Sequence, residues 1–167
     1  MNTLKSRTIN KLALITLLFA VALPLVPKVD AQGSPFCTTT FNNASLTGIF
    51  GYSADGFVVK NGKTDNATDL VGVMWFDGLT DVNGNGTFEF HDTLNDAGSI
   101  AQRGTACDPI VGTYQVNGDG TGTMHWVNPS NPGPGHTRAF AIVDGGNELQ
   151  FGSADDQSTN RGVAKKQ

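Results

Sequence analysis

The turns constrain this chain most. Asn83-Gly84-Asn85-Gly86, Asn117-Gly118-Asp119-Gly120 and Asp144-Gly145-Gly146-Asn147 each separate short runs rich in Val, Phe, Tyr, Trp and Thr. Asn-Gly and Asp-Gly supply the positive φ angles of tight hairpins, and the β-branched and aromatic runs suit a pleated, half-buried surface. A chain punctuated in this way folds as consecutive antiparallel hairpins. No helical period of useful length occurs beyond residue 31, and all 21 glycines lie beyond it, in turns and inside strands.

The first 31 residues read differently. Lys5, Arg7 and Lys11 precede an apolar run, 12–23, which is followed by Pro24 and Pro27. Val29 and Ala31 then give the small residues of a cleavage site, so 1–31 reads as a secretory signal peptide. The run is shorter than the roughly 20 residues of a spanning helix, and no cysteine stands at the cleavage site to carry a lipid. Cleavage there leaves Gln32–Gln167, divided into a polar lead-in, 32–45, and one domain, 46–167. The leader takes four of the 11 Lys/Arg and one of the 15 Asp/Glu, so the net charge moves from −4 to −7. Scattered acidic charge argues against nucleic acid and anionic membranes as partners. Secretion or periplasmic residence without stable membrane insertion is the expected localisation.

Strands are expected over 46–59, with a bend at Asp55-Gly56, and over 70–76, 87–91, 99–103, 110–116, 121–127, 137–143, 148–151 and 161–166, with polar loops over 61–68 and 128–135. Short strands joined one after another make an all-β, up-and-down antiparallel barrel of eight or nine strands, because Greek-key crossings need longer links. Closure also removes exposed edges.

Export permits a disulfide between Cys37 and Cys107, the only cysteines. Such a bridge would pin the lead-in near the start of the 110–116 strand; two free thiols are the alternative. Neither cysteine has the neighbours of a nucleophile.

Strand parity turns Tyr52, Phe90, Tyr114, Trp126 and Phe140 inward, with Arg138 on the same face as Phe140. Such a face either packs a core or lines a hydrophobic pocket, with Arg138 as an anchor for a carboxylate or as a rim residue. These six are the candidate ligand-binding residues. Asp81, Asn83, Asn85, Glu89 and Asp92 fall at calcium-loop spacing with Gly86 at the sixth position. The flanks read as strands rather than helices, which favours an Asn-Gly turn, with a loosely bound calcium as the alternative. His91, His125 and His136 have no metal-site spacing, no Ser lies in a nucleophile elbow, and the adjacent Asp155 and Asp156 read as solvated loop charges. No catalytic residue, metal ligand or cofactor is therefore assigned.

The runs Gly112-Thr-Tyr-Gln-Val116, Phe140-Ala-Ile-Val-Asp-Gly-Gly-Asn-Glu-Leu-Gln-Phe151 and Arg161-Gly-Val-Ala-Lys-Lys-Gln167 resemble a group of small exported bacterial proteins of unknown function, with barrels of the calycin or allene-oxide-cyclase type. The resemblance implies an eight-stranded barrel with a central cavity and implies no activity. The lipocalin Gly-x-Trp signature is absent; Gly48-Ile49-Phe50 is the nearest equivalent. Two function classes follow. One is a non-enzymatic barrel that binds a small apolar molecule or a surface partner. The other is a cyclase or isomerase acting on a lipid-derived substrate in the cavity.

Overall fold

In the computed structural model, which describes residues 40–129 and 132–167, nine strands form one antiparallel sheet. They are β1 (Thr47–Lys60), β2 (Lys63–Asp77), β3 (Gly86–Asp96), β4 (Ser99–Arg103), β5 (Ile110–Val116), β6 (Thr121–Trp126), β7 (His136–Val143), β8 (Glu148–Ser153) and β9 (Arg161–Lys166). All but β4 pair in chain order around a closed ring, and β9 returns to β1. The fold is thus an eight-stranded up-and-down barrel with one additional strand. The expected leader, 1–31, and Cys37 lie outside the described residues.

Alternation fills the interior. Phe50, Phe76, Phe88 and Tyr114 are at most 1% exposed. Their rings meet edge-on or stacked with centroids 5.0–5.8 Å apart. Strand glycines make this density possible. Gly86 pairs with Tyr114, Gly112 with Phe88, Gly122 with Phe140 and Gly162 with Phe151. A Cβ at any of these glycines would stand 2.3–2.5 Å from the facing ring. Each large ring therefore occupies the space that its cross-strand neighbour vacates.

The turns differ in length from the simple hairpin expectation. The two-residue turns are Asn61-Gly62 and Ala97-Gly98, with both central residues at positive φ (52° and 72°, 49° and 91°). The expected polar loop over 61–68 is corrected: Asn61-Gly62 closes a hairpin whose second strand begins at Lys63. The bend at Asp55-Gly56 is likewise absorbed into a continuous β1, with the irregularity between Phe57 and Val59. The three Asn/Asp-Gly clusters do connect strands, but through four residues or more. In the longest, Asp81 Oδ1 accepts the N–H groups of Asn83 and Asn85, each at 2.8 Å. The Asp81 carboxylate thus organises its own turn, and β3 starts directly at Gly86. No group of three His, Cys, Asp or Glu that could hold a metal occurs among the described residues.

One end of the barrel is closed by the lead-in. A 3-10 turn, Asn43–Ser45, is capped by the Asn42 side chain, which accepts from Ala44 N at 2.9 Å. Asn43 is 3% exposed; its Oδ1 accepts from Val116 N at 2.9 Å and its Nδ2 donates to Gly84 O at 3.2 Å. Leu46, fully buried, packs into the core behind it. Phe41 N donates to Gly118 O beyond the end of β5, whereas Cys107 precedes the start of β5. The described lead-in is therefore held at the opposite end from the expected attachment. Cys107 is exposed and carries no disulfide.

Candidate functional site

The other end is open, and it is polar. Six residues, 104–109, stand opposite the single residue His91, because β3 pairs Phe90 with Ile110 and Asp92 with Arg103. This excursion separates β4 from β5 along one edge of β3. It carries Cys107 near its tip, between the bridged residues Thr105 and Asp108. β4 then brings Arg103 over the mouth.

Asp92 is the centre of the first cluster, and its side chain is fully buried. Arg103 holds it with two bonds, Nε to Oδ1 at 2.7 Å and Nη2 to Oδ2. Tyr52 donates its hydroxyl proton to Oδ2. Gly72, paired with Asp92, makes room: a Cβ there would lie 2.4 Å from Asp92 Cβ. Burial, together with the facing carboxylate, pushes the Tyr52 phenol well above its ordinary value, so it keeps its proton.

Arg138 forms the second cluster and is matched less completely. It is 6% exposed, and its guanidinium lies 5.3 Å from the centroid of the Trp126 ring. Its Nη1 reaches Ser158 Oγ at 3.1 Å, with Asp155 Oδ2 and Thr137 O each at 3.4 Å. A guanidinium carries five donors in a planar fork. In Arg138 the Nε and Nη2 side of that fork has no hydrogen-bond partner among the described residues. Asp155 is held in turn by Thr137 N at 2.7 Å and Gln157 N at 3.0 Å. The reading of Asp155 as a solvated charge is thereby corrected. His136 stacks on Trp126 with centroids 5.4 Å apart, and its Nδ1 lies 3.9 Å from Asp155 Oδ2. Burial, reinforced by Arg138 and Arg103, holds the imidazole below its ordinary pKa against the pull of Asp155. Trp126 Nε1 is buried without an acceptor among the described residues.

Two spaces adjoin these clusters. A void of about 30 Å³ lies inside, bordered by Tyr52, Phe90, Arg103, Trp126 and Arg138. It has room for one or two water molecules and no more. Above it a groove of about 340 Å³ runs over Leu94, Arg103, His136, Arg138, Ser158 and Asn160. That volume is within the range of small-molecule sites.

Of the six residues expected to bind a ligand, the structure brings together Tyr52, Phe90, Trp126 and Arg138. Tyr114 is corrected to a structural position at the closed end. Its hydroxyl accepts from Gly78 N at 3.1 Å and faces Asn43 O, Leu46 O and Asp77 Oδ1, each at 3.2 Å. Phe140 is core packing over Gly122, away from the void and the groove. The sequence reading missed Asp92, Arg103, His136, Asp155 and Ser158. Asp92 was accessible by parity, two steps beyond Phe90. Arg103 follows only from counting across the Ala97-Gly98 turn. Asp155 arrives on a loop without periodicity.

No protein-family model matches the chain, and no curated protein or solved structure matches it either. The barrel therefore stands on the strand pairing itself.

Proposed function

We propose that this is an exported, calycin-like barrel protein that binds a small amphipathic molecule at its mouth, with a carboxylate of the ligand held by Arg138. One observation carries the reading: Arg138, 6% exposed, borders a groove of about 340 Å³, and its Nε and Nη2 have no hydrogen-bond partner among the described residues. Two such N–H groups can donate to a carboxylate through two parallel bonds. The apolar part of the ligand lies along Leu94 and Val59 in the groove, not in the barrel axis, which is already filled by rings. The expectation of an apolar ligand deep in the cavity is thus revised to a ligand at the rim.

The alternative, a cyclase or isomerase acting on a lipid-derived substrate, needs a group that exchanges a proton near neutral pH. Tyr52 borders the void, but its proton is too tightly held for that role, and Asp92 is occupied by Arg103 and Tyr52; His136 lines the groove, but its ring is stacked on Trp126 and its Nδ1 is buried. Binding is the better-supported reading.

Calorimetric titration with decanoate and with decanol tests it. The acid is expected to bind and the alcohol to bind about tenfold or more weaker, the range of a charge-assisted pair. Equal binding of both, or of neither, overturns the reading. Intact mass of the exported protein, expected to start at Gln32, tests cleavage after Ala31.

A further inference from the structure

The mouth is also open sideways. Among the described residues β4 is the one strand with an unpaired edge, and Ser99 to Gln102 are exposed. Its sequence, Ser-Ile-Ala-Gln-Arg, has none of the usual guards of a free edge, such as a lysine, a proline or an outward charge. The single charge, Arg103, is turned inward to Asp92.

The register says which backbone groups the edge offers. In a two-residue hairpin the residues flanking the turn form a hydrogen-bonded pair, and bonded and non-bonded pairs then alternate. Around Ala97-Gly98 the bonded pairs are Asp96 with Ser99, Leu94 with Ala101, and Asp92 with Arg103. Ile100 and Gln102 fall in the other set. Their N–H and C=O groups point away from β3, along the free edge.

No strand among the described residues covers this edge. The β5–β6 pairing ends at Gly112 opposite Trp126, two residues short of Ile110. Pro129, Pro132 and Pro134 follow, and proline has no N–H to give to a ladder. Between the edge and this segment lies a slit of about 350 Å³, with Ala101, Gln102 and Arg103 on one side and Asn128 and Pro129 on the other. The slit and the mouth groove share Leu94, Arg103 and Asn128, so one channel leads from the free edge to Arg138.

We propose, building on the carboxylate reading above, that the natural occupant of this channel is an extended polypeptide end. It adds to β4 as a further strand, bonds the backbone of Ile100 and Gln102, and sets its C-terminal carboxylate on Arg138. The edge supplies backbone bonds that tolerate many sequences, and the arginine supplies the end-specific contact. Charge complementarity selects this occupant: the edge alone would suit any strand, whereas the bare guanidinium at the end of the channel requires an anion.

The probe is the acetylated hexapeptide Ser-Val-Thr-Val-Ser-Leu, as the free acid and as the C-terminal amide, titrated by calorimetry into the exported protein. The free acid is expected to bind, and the amide to bind about tenfold or more weaker. Hydrogen exchange at the Ile100 and Gln102 amides should slow on binding. Gln102→Pro removes one outward N–H without touching the β3 ladder, so it should weaken the peptide and leave decanoate unchanged. Decanoate bound without the peptide overturns the strand proposal and leaves the small-acid reading intact. Peptide bound equally as acid and amide overturns the role of Arg138 in both. Unchanged exchange at Ile100 and Gln102 refutes strand addition. A dimer in sedimentation that Gln102→Pro dissolves assigns the edge to a second copy and overturns the proposal as well.

Discussion

The two ends of the barrel treat buried polarity in opposite ways. At the closed end, the Tyr114 hydroxyl has a donor and three acceptor oxygens within 3.2 Å, and Asn43 uses both ends of its amide. At the mouth, Trp126 Nε1 and His136 Nδ1 are buried without a hydrogen-bond partner among the described residues, and Arg138 uses one nitrogen of three. A buried polar group left unpaired destabilises a fold, so a concentration of them at one end is a local sacrifice of stability. The difference teaches where the fold is complete in itself and where it is arranged for something else.

Within the mouth the two arginines repeat the contrast. Arg103 is a matched partner of Asp92, and breaking that pair leaves a charge stranded. Asp92→Ala is expected to cost about 3–5 kcal/mol in urea unfolding. Arg138→Met is expected to change stability by at most about 1 kcal/mol, since an apolar chain of similar length replaces a poorly paired charge. Equal losses would mean that Arg138 is as structural as Arg103, and the mouth would lose its distinction from the rest of the barrel.

The closed end supplies the next effect. Tyr114→Phe keeps the ring in place over Gly86 and removes only the hydroxyl that ties the plug to Gly78 and Asp77. A loss of about 1–3 kcal/mol is expected. Stability unchanged within error would show that the plug is held by Leu46 and Asn43 without the phenol, and would weaken the claim that this end is closed by its hydrogen bonds.

What was legible in the sequence follows the same division. Alternation set the inward face, and Phe88 to Phe90 continues to Asp92 without interruption. The barrel and its aromatic interior follow from period two alone. Asn61-Gly62 was as strong a turn signal as the others, but the polar residues after it hid a strand. They are polar because that part of β2 rises past the aromatic interior toward the polar mouth, where Thr68 bonds Asn160 rather than a ring. The mouth itself was mostly illegible. Arg103, His136 and Asp155 meet through a six-residue excursion, a proline loop and a loop without periodicity, and spacing cannot say where such segments return.

A pH series sharpens the contrast further. The folded pKa of His136 lies below its ordinary value near 6.5, chiefly because of burial. Between the two values the unfolded chain binds more protons than the folded one, so stability rises with pH across that window. It is fully present above about pH 6.5 and is lost as pH falls through the folded value. His136→Gln should flatten this part of the curve, and Tyr114→Phe at the far end should leave it unchanged. A curve equally steep in His136→Gln would place the titration elsewhere.

The smallest effect is expected at Cys107. The thiol is exposed near the tip of the 104–109 excursion, and the described lead-in is tied to Gly118 at the other end of β5. A substitution at an exposed site with no partner usually changes stability by less than about 0.5 kcal/mol, and Cys107→Ser is expected to do the same. Thiol titration of the unfolded, non-reduced protein should then find two reactive groups. No reactive thiol, together with a melting temperature that drops on reduction, would establish the Cys37–Cys107 bridge. The chain before Phe41 would then have to run from the closed end to the excursion beside β4, and the two ends of the barrel would be mechanically linked rather than independent.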